Sequence, residues 1–261
     1  MKRSCYALTI GGSDPTCGAG IHSDIQTFRD FQVYPFSVST AITVQNSFGV
    51  HKVFPLASTI VALQLENLLN DYPIDVIKIG MVYNNENVAT IVHYLKQYPN
   101  IPVVLDPVLF SKNNTHLWIE KDLASITKKL FPITYLLTPN LPEAELLSGI
   151  NIHIKKNAFA ALYKLQDMGA SNILLKGGHA LDHTSTDYLL HGESIHSFRS
   201  PRLKIPPVHG TGCMLSSAIA ACIAQGKTLE KATQLSKKYL FNKMKRSFAI
   251  GNGNLRLMHH F

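Results

Sequence analysis

The chain has 261 residues, which at about 150 residues per domain means one or two domains, and a single large α/β unit fits best. Its 46% apolar and 16% charged residues exclude disorder, while 16 Gly and 13 Pro exclude collagen-like and proline-rich classes. The net charge of +8 leaves three partner classes open: nucleic acid, an anionic membrane, or a negatively charged small substrate. Only the distribution of that charge can separate them.

Behind Met1-Lys2-Arg3 the apolar stretch ends by Gly11-Gly12-Ser13-Asp14, which is short for a secretory signal. No stretch approaches the roughly 18 uninterrupted apolar residues of a membrane span. Cys5, Cys17, Cys213 and Cys222 contain no C-x-x-C pair, so neither a disulfide framework nor a zinc site fits their spacing. A reducing, cytoplasmic compartment is the expectation.

Taken in chain order, short apolar runs alternate with helical periodicity. Tyr6–Ile10 predicts a strand stopped by a glycine pair, followed by a helix with Ile21, Ile25 and Phe28 on one face. Ser37–Val44 predicts the second strand, with Ile60, Leu63 and Leu68 as the face of the next helix. Val76–Ile79 follows as a strand, and Val88, Ile91, Val92 and Leu95 mark another helix. Val103–Leu105 runs into Asp106 and a helix carrying Leu123, Ile126 and Leu130. Tyr135–Leu137 leads to a helix near Leu141, and Ile173–Leu175 follows the Phe159–Leu165 helix. Tyr188–Leu190 and Ile195–Phe198 flank His191-Gly192-Glu193 as a hairpin. Two helices, Cys213–Ala224 and Leu229–Met244, close the chain, with Gly226 where a helix-ending glycine belongs. Repeated strand–helix units predict one domain over residues 1–261, a mainly parallel sheet with helices on both faces. Ligands of such sheets sit beyond the carboxyl ends of the strands. Gly11–Asp14, Gln45, Gly80-Met81, Asp106, Asn140 and Lys176 all fall there.

The strongest local motif is His209-Gly210-Thr211-Gly212-Cys213, opening an apolar helix. Its two glycines let successive N–H groups converge on an anion at a helix N-terminus, a cup suited to a phosphoryl group in transfer. A glycine-rich turn that merely starts a helix is the plainer alternative. Cys213 at that terminus is expected to have a lowered thiol pKa, which makes it a base or nucleophile, against the alternative of a buried small hydrophobe. Gly11–Gly20 is a second glycine-rich strand-to-helix connection, without the Lys-Ser/Thr ending of a P-loop. Asp24 behind it could accept hydrogen bonds from a polar ligand or be a solvated helix-start acid. Asn140-Leu141-Pro142-Glu143 has the pattern of a capping box, and the Glu143 carboxylate could also hold Mg²⁺ beside nucleotide phosphates, with Asp106 in the same network. Lys176 before Gly177-Gly178 suits a nucleotide phosphate or is an ordinary exposed lysine. Lys237, Lys238, Lys243, Lys245 and Arg246 lack interleaved aromatic platforms and are expected to form a solvated helix face, which argues against nucleic acid.

Together these motifs resemble the ribokinase-like superfamily, and within it the bacterial hydroxymethylpyrimidine/phosphomethylpyrimidine kinases. The resemblance runs end to end: Ala7–Pro15, Gly18–Ile21, Asp24, Thr40-Ala41, Gln45-Asn46, Lys78–Met81, Leu105–Val108, Thr138–Ala144, Lys176–His179 and His209–Cys213. It implies a three-layer α/β/α fold and a homodimer. It also implies transfer of phosphate from ATP with Mg²⁺ to 4-amino-5-hydroxymethyl-2-methylpyrimidine and then to its monophosphate. By the same resemblance Gln45 reads the pyrimidine edge, and Asp24, Gly12, Met81 and Val108 are further pocket positions. Lys176 and Asn140 serve the nucleotide phosphates, Glu143 and Asp106 the metal, Cys213 is the base, and Gly210, Thr211 and Gly212 form the anion hole.

Some positions depart from the family pattern. Cys17 stands where Gly is usual, so it is strained if that position needs a positive φ, and His22 stands where Gln is usual. Pro206-Pro207 removes two N–H donors before the anion hole, and Met214 replaces a common Thr. A pyridoxal or pyridoxine kinase is therefore the enzymatic alternative. A catalytically weak pyrimidine- or phosphate-binding sensor is the alternative of another class, and Cys213-dependent ATP turnover separates the two.

Overall fold

A computed structural model of the chain describes residues 4–110, 117–118, 123–152, 155–179, 184–253 and 256–258. Its first half runs β1 (Cys5–Ser13), α1 (Gly20–Asp30), β2 (Val33–Asn46), β3 (Gly49–Pro55), α2 (Ser58–Asp71), β4 (Val76–Ile79), α3 (Asn85–Leu95) and β5 (Val103–Leu105). After a π-helical turn at Ile126–Leu130 come β6 (Leu136–Leu137), α4 (Leu141–Ser148), α5 (Lys155–Asp167) and β7 (Asn172–Leu175). Then follow β8 (Thr184–His191), β9 (Ser194–Pro201), α6 (Thr211–Ala224), α7 (Leu229–Lys245) and a small ribbon of β10 (Phe248–Ala249) with β11 (Arg256–Leu257).

Nine strands form one sheet in the order β3-β2-β1-β4-β5-β6-β7-β8-β9. The six central strands are parallel; β3 at one edge and the β8–β9 hairpin at the other are antiparallel. Central strands such as Val-Ile-Lys-Ile and Asn-Ile-Leu-Leu are buried at every residue, as strands covered on both faces must be. One core packs Phe28 of α1 with Leu215 and Ile219 of α6 and Ala232 of α7. The other packs Val61 and Leu65 of α2, Ile91 of α3, Leu147 of α4 and Leu162 of α5. The three-layer α/β/α architecture follows from these two faces.

The chain leaves β1 outward to β2 and β3, then returns to β4 on the other side of β1. Loops diverge at such a reversal and leave a crevice beyond the carboxyl ends of the strands. Gly11–Asp14, Gly80-Met81, Asp106, Asn140 and Lys176 all lie at that end.

Three expectations change. Strand β3 was not foreseen, because its buried and exposed residues do not alternate cleanly. On α2 the buried face is Val61, Leu65 and Leu69, whereas Ile60 and Leu63 are 47% and 59% exposed. That helix is apolar on more than one side, so periodicity alone cannot choose the face. Lys237 is not on a solvated face: it is buried against Asp187, with Nζ 2.6 Å from Oδ2.

Cys17 does occupy the left-handed region, at φ 57°, and is exposed. A Cβ in that conformation costs on the order of 1–2 kcal/mol, part of which a glycine gives back through its freer unfolded chain. Cys17→Gly is expected to stabilise the fold by about 1 kcal/mol, a rise of roughly 2–4 °C in Tm. Thermal unfolding checks it, and an unchanged or lower Tm is the contrary result.

Candidate active site

Helix α6 begins at Gly210, whose φ of 73° a side chain rarely adopts and where an added Cβ would lie 1.8 Å from the Gly18 carbonyl oxygen. The first helical bond runs from the Met214 N–H to the Gly210 carbonyl at 2.9 Å. The N–H groups of Thr211, Gly212 and Cys213 therefore lie ahead of the helical ladder, at its positive end. Nine consecutive residues behind them, Met214–Cys222, are buried, so the sheet holds this end in place. An added Cβ on Gly212 would stand 3.4 Å from both Asp106 Oδ2 and Lys176 Nζ. The amide cup and the charged side chains thus share one space.

Lys176 Nζ lies 2.7 Å from Asp106 Oδ1 and 3.9 Å from Glu143 Oε2, so it is not an ordinary exposed lysine. Asp106 also accepts from Thr138 Oγ1 at 3.2 Å and Ser216 Oγ at 3.3 Å. Burial would raise the Asp106 carboxyl, but Lys176, Lys78 and these hydrogen bonds hold it below its usual range. Burial disfavours the Lys176 ammonium too, yet Asp106 and Glu143 raise its pKa and keep it charged. For Glu143 burial wins and pushes the carboxyl up to about 7, against the pull of Lys176. The capping box forms in full: Asn140 Oδ1 accepts the Glu143 N–H at 2.9 Å and Glu143 Oε2 accepts the Asn140 N–H at 2.8 Å. Glu143 therefore caps α4 and faces Lys176 at the same time.

Asp24 is neither at a ligand surface nor solvated. Its Oδ2 accepts from Lys78 Nζ at 2.8 Å and Thr9 Oγ1 at 2.6 Å, and its Oδ1 accepts from Ser217 Oγ at 2.7 Å. Both residues of the pair are fully buried. Asp24, expected as a pocket position, is fully enclosed here and meets three donors of the protein itself. Burial would deprotonate Lys78, but the charges of Asp24 and Asp106 raise its pKa and keep the ammonium.

The expected lowering of the Cys213 thiol is corrected. Lost solvation pushes it up to about 11, although Lys78 and a hydrogen bond from the Gly20 N–H pull it down. Over these groups three carboxylates (Asp24, Asp106 and Glu143) face two ammonium groups, an excess of one negative charge when all are ionised.

An apolar wall bounds the other side. Met81, Ala41 and Leu117 pack together with Val50, Val53 and Val108, so the two expected pocket residues Met81 and Val108 share a cluster with the β2–β3 hairpin. Thr40 Oγ1 donates to the Met81 carbonyl at 2.6 Å and fixes that loop. Gly12, the penultimate residue of β1, lies directly beneath the Met81 side chain. The Gln45 carboxamide meets His209 Nε2 at 2.6 Å, and the same Nε2 lies 2.8 Å from Asp14 Oδ2. His22, in its unusual position, donates from Nδ1 to the Asp14 carbonyl at 2.7 Å.

Lys78, Asp14 and His209 lie within motifs picked out in the sequence, but no individual role was read for any of them. One signal was available for Lys78: a lone charge inside Val76-Ile77-Lys78-Ile79, on a central strand buried on both faces, needs a buried partner.

A family model described as phosphomethylpyrimidine kinase matches residues 14–258. The chain belongs to the phosphomethylpyrimidine kinase family. It is 41% identical over 95% of its length to the thiamine biosynthesis bifunctional protein ThiED of Geobacter sulfurreducens, of which it spans half. It is 37% identical to the hydroxymethylpyrimidine/phosphomethylpyrimidine kinase of Haemophilus influenzae, covering 97% of this chain and 96% of that one. Among solved structures it resembles the phosphomethylpyrimidine kinase of Clostridium difficile, with TM-score 0.82, 36% identity, and coverage of 92% and 100%. It also resembles Staphylococcus aureus pyridoxal kinase in complex with AMP-PCP and pyridoxal, with TM-score 0.88, 28% identity, and coverage of 98% and 93%. These likenesses place the fold among the ribokinase-like kinases.

Removing one member of a buried ion pair strands the other. Lys78→Met is expected to destabilise the protein by about 3–5 kcal/mol, and the double variant Asp24→Leu/Lys78→Met by clearly less. Urea unfolding of the single and double variants decides this, and equal losses would argue that the pair is not the source of the cost.

Proposed function

We propose that the chain transfers the γ-phosphoryl group of ATP to the hydroxymethyl oxygen of 4-amino-5-hydroxymethyl-2-methylpyrimidine, and then phosphorylates the resulting monophosphate. The product is the pyrophosphate used in thiamine diphosphate synthesis. The observation that carries this reading is the approach of Gly212, in the amide cup beside Cys213, to Lys176 and Asp106. Phosphoryl transfer needs preorganised donors around a spreading negative charge, which is what such a cup and ammonium supply.

Cys213 takes the hydroxyl proton onto its sulfur as the alcohol oxygen forms its bond to phosphorus and the bond to the β-phosphate bridge breaks. Gly210, Thr211 and Gly212 direct backbone donors at the transferred group, and Lys176 and Asn140 hold the nucleotide phosphates. Gln45, Met81, Val108 and Gly12 seat the ring, while Asp24 acts from behind the pocket by holding Lys78. The residues fit a magnesium ion: Glu143 and Asp106 are hard oxygen donors that both face Lys176, in a cluster with an excess of negative charge once Glu143 is ionised. When bound, Mg²⁺ neutralises charge on the phosphate oxygens.

The same reading includes a single kinase domain, a cytoplasmic location and a homodimer with a small-molecule substrate. Exposed Ile42, Val44, Phe48 and Phe54 on the β2–β3 hairpin support self-association, and the four free cysteines suit a reducing compartment. Pyridoxal kinase activity is the second reading, favoured by the likeness to the S. aureus pyridoxal kinase complex.

An ATP-consumption assay with the pyrimidine alcohol, its monophosphate and pyridoxal side by side separates the readings. Turnover of the first two is expected, and activity on pyridoxal alone would reverse the choice. Because a phosphate nucleophile is already largely ionised near neutral pH, Cys213→Ala should lower kcat of the first step roughly 100-fold or more and that of the second less than about tenfold. Equal losses would remove Cys213 as the base. With the thiol near 11, its thiolate fraction grows tenfold per pH unit below that value. The first-step kcat should therefore climb steeply from pH 7 to 9 while the second stays flatter, as stopped-time product analysis can show.

A further inference from the structure

His209 links three segments that are far apart in sequence: the loop after β1, the end of β2 and the start of α6. Asp14 is buried and its carboxylate is surrounded by donors. Oδ1 accepts the Thr16 N–H at 2.8 Å and Thr16 Oγ1 at 2.9 Å, and Oδ2 accepts the Ala19 N–H at 2.9 Å. Burial would raise this carboxyl, but the hydrogen bond and charge of His209, with Thr16, hold it below the usual range. Asp14 is thus an acceptor only, so the His209 Nε2 that lies 2.8 Å from its Oδ2 must carry a hydrogen.

That hydrogen constrains Gln45. The carboxamide nitrogen stands 2.6 Å from the same Nε2, and two donors cannot face each other at that distance. The oxygen and nitrogen of a glutamine amide exchange places by half a turn with no change of shape. Turned so, Oε1 shares the Nε2–H with Asp14, and the NH₂ group is left for the pocket.

We propose that His209, anchored by Asp14, is a positioning residue for substrate specificity. Its Nε2–H fixes the Gln45 carboxamide with oxygen toward the imidazole and NH₂ toward the substrate. There the NH₂ donates to an acceptor nitrogen of the heteroaromatic ring. This rests on the proposed pyrimidine substrate, in which a ring nitrogen lies beside the amino-bearing carbon. Without the imidazole donor the amide can turn either way, and a ring with CH at that position should be accepted almost as well.

The test compares wild type, His209→Phe and His209→Gln on the aminopyrimidine alcohol and on its deaza analogue, with CH in place of that ring nitrogen. Wild type is expected to prefer the pyrimidine by about 10–100-fold, mostly through KM, the scale of one specific hydrogen bond. In His209→Phe that preference should fall to about threefold or less with kcat on the pyrimidine within about fivefold of wild type, and His209→Gln should restore part of it. The same preference in His209→Phe as in wild type overturns the proposal. The free wild-type protein offers a second readout that needs no variant to fold: a ¹⁵N spectrum of labelled histidine should show a protonated His209 Nε2, and a bare Nε2 overturns the proposal. Absence of pyrimidine turnover by wild type would count against the proposed function instead, and the nitrogen spectrum would still decide the hydrogen-bond polarity.

Discussion

An ammonium group fully enclosed in the central strand of a parallel sheet would cost several kcal/mol if left alone, and much of this site is arranged around its compensation. Lys78 of β4 is matched by Asp24 of α1, whose carboxylate also draws Thr9 of β1 and Ser217 of α6. Four elements from both halves of the chain therefore meet at one carboxylate. Ser217 is one helical turn beyond Cys213, and Ser216 beside it donates to Asp106. The depth and rotation of α6, and with them the position of the thiol and the amide cup, are consequences of how that carboxylate is satisfied.

The charge pattern is the reverse of what composition suggests. The chain carries +8 overall, yet its buried functional cluster has more carboxylates than ammonium groups. The proposed anion binding there draws on backbone amides and Lys176, not on the overall excess of basic residues. The raised Cys213 thiol belongs to the same balance. Enclosed with Asp24 and Asp106, the thiol stays protonated around neutral pH.

Much of this was legible because each central strand is a short apolar run that stops at a glycine or a polar residue. Those stopping points, from Gly11 to Lys176, are where the site lies. The Gly-Thr-Gly-Cys start of α6 could be read locally, since it concerns one stretch of backbone, whereas the strain at Cys17 was expected only from the resemblance, which has Gly there. Contacts between distant segments could not be read that way. Asp14 and His209 are 195 positions apart, and Asp24 and Lys78 are 54 apart; these pairs exist only once the sheet has ordered its strands. The helix position of Asp24 left a ligand acceptor and a solvated acid equally open, because its three donors lie on other segments. The thiol shift was misjudged for a related reason: a helix terminus is visible in sequence, but the loss of solvent around it is not. The face of α2 was undecidable locally, because that helix is apolar on more than one side.

The continuous burial behind Cys213 has a dynamic consequence. A helix start can fray only by giving up its first turns, and here the turns from Met214 on are embedded between the sheet, α1 and α7. The helix behind the cup, from Met214 on, should therefore open only with the core, and its hydrogen-bonded amide protons should exchange among the slowest in the molecule. A substitution that loosens the α6 packing would be felt as lost chemistry while the fold was still intact.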